Sequence, residues 1–203
     1  MTEGSLQQNG RGAGGAASDR PYSRLERSAY HEAGHAVAAY VLGRRTTDIT
    51  IAAETESVGR CQYAELRDFD PELPRPYGGP QVESVAELQI LSYLAGPIAE
   101  STLTGEKDWR KTGGNGDVPR AVDLAMYLTG DIKKAESYLK RLWLQTEELI
   151  TNPENWAAIE ALAAELVEHH QIDEERARMI LAGEQGAYVA AWPAAAKKEQ
   201  ARH

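Results

Sequence analysis

Residues 31–35 read His31-Glu32-Ala33-Gly34-His35, inside a run that is apolar on nearly every side. Ala33, Ala36, Val37, Ala38, Ala39, Val41 and Leu42 surround the two histidines. A helix that is apolar all round belongs in a core, which constrains the fold before anything else is known. Buried imidazoles need partners, because an unpaired polar group taken out of water is costly. Helix positions i and i+4 share a face, so His31 and His35 can present two ring nitrogens to one metal ion. Glu32, on the adjoining side of the same turn, can reach a metal-bound water and take its proton. A surface helix with two solvated histidines is the rival reading, and the apolar flanks oppose it. The ligand types are hard and nitrogen-rich, which points to one zinc per chain. The five residues do not contain the third ligand.

The 203 residues suffice for one domain with its own core. A formal charge of −9 offers no basic face, so nucleic acid is not an expected partner. Cys61 is the single cysteine, which forbids an intrachain disulfide and fits a reducing compartment. It falls in an expected strand, where a small buried side chain is the simple reading. No apolar run reaches the about 20 residues that a membrane span needs. The Gly-, Ser- and Gln-rich residues 1–20 have no apolar signal core, and a cytoplasmic location is expected.

The pattern predicts a mainly α (α+β) domain over residues 23–183, with a disordered segment at 1–22 and a flexible tail at 184–203. A helix is expected from Ser23 to Leu42, stopped by Gly43. Alternation over Thr47–Ala52 and Val58–Tyr63, with Glu54-Thr55-Glu56-Ser57 as the turn, predicts a small hairpin. Arg67–Pro80 reads as loop. A long helix is expected from Val82 to Leu103, with a core stripe that includes Leu91, Leu94 and Ile98 and a kink at Pro97. A Gly-rich loop spans Gly105–Gly116. Asp117 opens a helix, Gly130 interrupts it, and Asp131 caps another through Leu149. Helices over Glu154–His169 and Asp173–Leu181 complete the domain. His169 and His170 suit a helix C-terminus, and no cluster of ligand types stands beside them. The four tryptophans, Trp109, Trp143, Trp156 and Trp192, read as packing residues.

The third ligand can be approached by elimination only part of the way. A metzincin pattern would place Gly and His where this chain has Ala38 and Val41. A thermolysin-like arrangement takes a Glu from a following helix; Glu54 and Glu56 lie at roughly suitable spacing but sit in the expected hairpin turn, which makes them poor candidates. Glu100 and Asp117 remain. Glu100 lies in an apolar stretch of the second long helix, so its carboxylate needs a partner, either in a salt bridge or at the metal site. Asp117 lies at the start of a helix after a glycine loop, where an N-cap is its simplest role. The physics of the sequence leaves both open.

Ala29-Tyr30-His31-Glu32-Ala33-Gly34-His35-Ala36 resembles the peptidase domain of the FtsH-type zinc metalloproteases. So does the order that follows: a hairpin, then Leu94-Ala95-Gly96-Pro97-Ile98-Ala99-Glu100, then Thr112-Gly113-Gly114-Asn115-Gly116-Asp117-Val118. The resemblance covers about Leu25 to Leu181. It implies a helical zincin-type domain in which His31, His35 and Asp117 hold zinc. It implies further that Glu32 is the general base and that Glu100 pairs with a ligand imidazole N–H. Gly116 stands where that family usually has Asn, Pro97 where it has Arg, and Ser101 where it has a second Glu. The family also carries an ATPase module and a membrane anchor, whereas these 203 residues contain no G-x-x-x-x-G-K-[S/T] phosphate loop and hence no ATP site.

The expected activity is therefore hydrolysis of peptide bonds in protein or peptide substrates by a stand-alone domain. An exposed edge at Val58–Tyr63 would pair with an extended substrate backbone. Two alternatives belong to other classes: a catalytically silent zinc-binding adaptor or regulator, and a protease that acts only when recruited to a separate ATPase. The intact Glu32 speaks against the first, since holding a metal requires no general base. FtsH-type domains form rings, so a homo-oligomer is compatible with the resemblance, and the sequence names neither a substrate nor a substrate-binding residue.

Overall fold

The computed structural model describes residues 22–44, 46–51, 60–63, 80–112, 114 and 116–182. Helix α1 (Arg24–Val41) begins at a reciprocal cap: the Ser23 hydroxyl accepts the Glu26 N–H, and the Glu26 carboxylate accepts the Ser23 N–H at 2.8 Å. It ends at Leu42, after which Gly43 turns the chain with φ 74°. His31, Glu32, His35 and the alanines around them are all buried, as an all-round apolar helix requires.

β1 (Thr46–Thr50) and β2 (Arg60–Tyr63) pair antiparallel, as the alternating pattern predicts. The hairpin is part of a larger sheet. β3 (Gln171–Ile172) pairs antiparallel with the other side of β1, giving the order β2-β1-β3. A two-residue strand carries no periodicity, so the sequence reading missed it. β1 is therefore central, and β2 has a strand neighbour on one side only among the described residues.

Helix α2 (Pro80–Thr104) starts two residues earlier than expected and runs on through Pro97. A 3-10 turn at Trp109–Lys111 lies in the stretch expected to be pure loop. α3 (Asp117–Thr129) stops at Gly130, whose φ of 63° is left-handed. Asp131 caps α4 (Ile132–Thr151) by accepting the Lys134 N–H at 3.0 Å. Asn152 caps α5 (Pro153–His169), with Pro153 in the first turn, where its missing N–H costs nothing. His170 closes α5 at φ 63°, and its carbonyl accepts the Ile51 N–H at 2.9 Å, leading the chain into β3. α6 (Glu174–Ala182) then packs on α5 and β1.

The architecture is mainly helical, as expected. α1 packs against α2 on one side and α5 on another, and α3 and α4 cover α2. The α1–α2 seam is close. A Cβ on Gly34 would lie 2.5 Å from the Ala99 Cβ and 2.9 Å from the Ala95 carbonyl oxygen, so only glycine lets the two helices approach this far. No helix among the described residues is long and apolar enough to cross a membrane. The expectations for residues 1–21, for the turn with Glu54 and Glu56, for 67–79 and for 183–203, with Trp192, lie outside the described residues. The side chains of Cys61 and Trp109 lie outside them too.

Candidate metal centre

Three elements meet at the histidines. α1 supplies His31 and His35, α2 passes beneath them, and the first residue of α3 supplies Asp117. His35 Nε2 lies 3.2 Å from His31 Nε2. Asp117 Oδ2 lies 3.1 Å from His31 Nε2 and 3.3 Å from His35 Nε2. The three atoms form a nearly equilateral triangle. Ligand atoms on a tetrahedral zinc, at about 2.0–2.2 Å from the metal, stand about 3.3–3.5 Å apart, close to the edges of this triangle.

The hydrogen bonds behind the triangle decide what it can bind. His35 Nδ1 is 2.7 Å from the Ser92 carbonyl, an acceptor only, so Nδ1 carries the proton. His31 Nδ1 is 3.3 Å from Glu100 Oε2, again an acceptor when ionised. With each Nδ1 engaged from behind, the two Nε2 atoms face each other and a carboxylate oxygen. A cation placed among these three atoms would meet all of them. A proton can bridge one pair at a time, whereas a divalent metal satisfies all three. Among the described residues, His31, His35 and Asp117 are the group of ligating side chains able to hold a metal ion.

The electrostatics point the same way. Burial opposes charge on His31, but its hydrogen bonds to Asp117 and Glu100, together with the nearby Glu32 carboxylate, outweigh that and push the imidazole up to about 9. Burial also works against the ionised form of Asp117. Its hydrogen bonds to His31 and His35 win, and they hold its carboxyl well below the usual carboxylate range. The pocket thus attracts positive charge and keeps its oxygen ligand ionised.

The sequence left Glu100 and Asp117 as rivals, and the geometry separates them. Asp117 faces both Nε2 atoms, while Glu100 sits behind His31 at Nδ1. Glu100 also accepts from Arg27 Nε at 2.8 Å, so it belongs to a salt bridge and supports a histidine at once. Glu32 is buried beside His31 on the same turn of α1. His169 stands apart and exposed, 3.4 Å from Glu165. Trp143 and Trp156 pack against the core, and Trp156 also meets the Tyr30 ring at 5.6 Å.

Three contributors escaped the sequence reading. The Ser92 carbonyl could not be found, since a backbone acceptor has no residue signature. Arg27 could have been, because residues 27, 31 and 35 recur every four positions and share one face of α1. Gly96 carried a signal too, since glycine inside a helix costs about 1 kcal/mol relative to alanine and so implies a reason. A Cβ there would lie 2.4 Å from His35 Nε2 and 2.7 Å from His31 Nε2. Gly96 keeps open the space that an ion between the rings requires.

Compared with models of known protein families, the chain matches none, and no curated protein matches it.

Proposed function

We propose that this chain is a zinc-dependent endopeptidase domain of the FtsH type, with His31, His35 and Asp117 as ligands and Glu32 as general base. The supporting observation is the convergence of two Nε2 atoms and one carboxylate oxygen at 3.1–3.3 Å, with a buried glutamate on the adjoining position of the helix. When bound, zinc supplies a Lewis acid and brings the pKa of a coordinated water toward about 7.

The chain's own groups do the rest. The Glu32 carboxylate takes a proton from the attacking water and passes it to the leaving amine nitrogen. Its burial keeps competing water away and strengthens each charge interaction. Ser92 and Glu100 hold the two imidazoles in the tautomer that leaves Nε2 free. The side of β2 that has no strand neighbour among the described residues would take an extended substrate, a mode that reads backbone rather than side chains and suits unfolded segments.

Glu32→Gln tests this reading. Glutamine keeps the size and a carbonyl oxygen but cannot accept the proton. The expected result is unchanged zinc content with hydrolysis of an unfolded protein reduced about 100-fold to 10,000-fold. Equal cleavage by both forms would assign the activity to another base. Absence of cleavage by zinc-loaded wild type, with candidate ATPases added, would favour a zinc-binding regulator.

A further inference from the structure

We propose that Arg27 is a positioning residue of the metal centre, fixing Glu100 and the approach to Asp117 so that the three ligands converge. The inference rests on the metal reading above and adds to it a residue outside the HExxH segment. Arg27 sits one helical turn before His31 on the same face of α1. Its Nε donates to Glu100 Oε1 at 2.8 Å, and its terminal nitrogen lies 2.6 Å from the same oxygen. That terminal nitrogen also donates to the Lys111 carbonyl at 2.6 Å.

One guanidinium therefore joins the three parts of the chain that supply or support ligands. It projects from α1, which carries both histidines. It grips Glu100 of α2 by one oxygen, which turns the other oxygen toward His31 Nδ1 at 3.3 Å. It holds the end of the 3-10 turn that leads through buried Thr112 and Gly114 to Asp117. Arginine suits this place because its planar fork donates in several fixed directions at once, which a lysine ammonium on a flexible stem does not reproduce. Glu100 is buried, so its orientation is set by such partners and not by solvent. Loss of an outer hydrogen-bond partner of a metal-bound histidine costs about 10-fold to 100-fold in affinity, and Arg27 acts one bond further back, through Glu100.

The test is zinc affinity, measured by competition with a chromophoric chelator on chelator-stripped full-length protein. Arg27→Met keeps the apolar stem and removes the fork. The expected result is an affinity loss of about 10-fold. Arg27→Lys, which restores the bond to Glu100 but not the second one to Lys111, should recover part of it. In a Glu100→Gln background, Arg27→Met should cost clearly less than in the wild type, since the partner it positions is already altered. Helix content by circular dichroism is read on the same samples. Should Arg27→Met not fold, Arg27→Lys and Arg27→Gln carry the comparison, and wild-type affinity in both would overturn the proposal. Wild-type affinity in a folded Arg27→Met would overturn it equally. A wild-type protein that takes up no zinc would instead remove the metal reading itself, and this inference with it.

Discussion

His31 faces Asp117 through Nε2 and Glu100 through Nδ1, and the two carboxylates have different tasks. Asp117 Oδ2 faces both Nε2 atoms, so in the proposed centre its removal would delete a ligand. Glu100 only orients one. Asp117→Ala is therefore expected to abolish stoichiometric zinc binding, while Glu100→Ala weakens it by about 10-fold to 100-fold. Isothermal titration of both variants checks this, and zinc retention by Asp117→Ala with loss in Glu100→Ala would invert the assignment. The same contacts predict a pH signature for the metal-free protein. The His31 pKa rises from 6.5 unfolded to about 9 folded. The stabilisation from its pairing is thus complete below about 6.5 and disappears as pH climbs through about 9. The lowered Asp117 pKa describes the same ion pair from its other side. That contribution is present above the ordinary value of 3.8 and is lost as pH falls through the folded value. Thermal melts of chelator-stripped protein should show lower stability at pH 9.5 than at pH 6.5. A flat profile across that range would contradict the pairing.

At the scale of elements, the site exists because α1 and α2 touch along glycines. Gly34 brings the helices together, and Gly96 leaves room between the two Nε2 atoms. Gly96→Ala sets two effects against each other. Helix propensity alone favours alanine by about 1 kcal/mol. The new methyl, however, falls within 2.4–2.7 Å of both ligand nitrogens, well inside contact distance. The predicted outcome is a folded helical protein that binds zinc poorly, seen as retained circular dichroism with metal content far below that of the wild type. Full zinc occupancy in Gly96→Ala would show that the ion, if held, sits elsewhere. These elements were legible to different degrees. The long helices announced themselves through starts and stops: Ser23 and Asp131 open helices, and Gly43 and Gly130 end them. β3 was invisible because Gln171–Ile172 is held by β1 and not by any local pattern.

For the whole molecule, the two histidines were readable as a pair because four residues separate them on one helix. Asp117 lies 86 residues from His31, and no local rule joins positions so far apart. The resemblance to FtsH-type peptidases placed it by order of motifs, and the packing of α3 against α2 brings its carboxylate to the rings. Ser92 acts through its backbone carbonyl, which no residue type reveals, whereas Gly96 and Arg27 left signals in a helical glycine and a four-residue spacing. α1, α2 and α3 bring together three side chains that could hold one metal ion, and we propose that this ion is zinc. Elemental analysis of protein purified without chelator tests that most directly. About one equivalent of zinc per chain, removed by chelator and restored on adding the metal, is the predicted result. Less than about a tenth of an equivalent, with no uptake after zinc is added back, would contradict it.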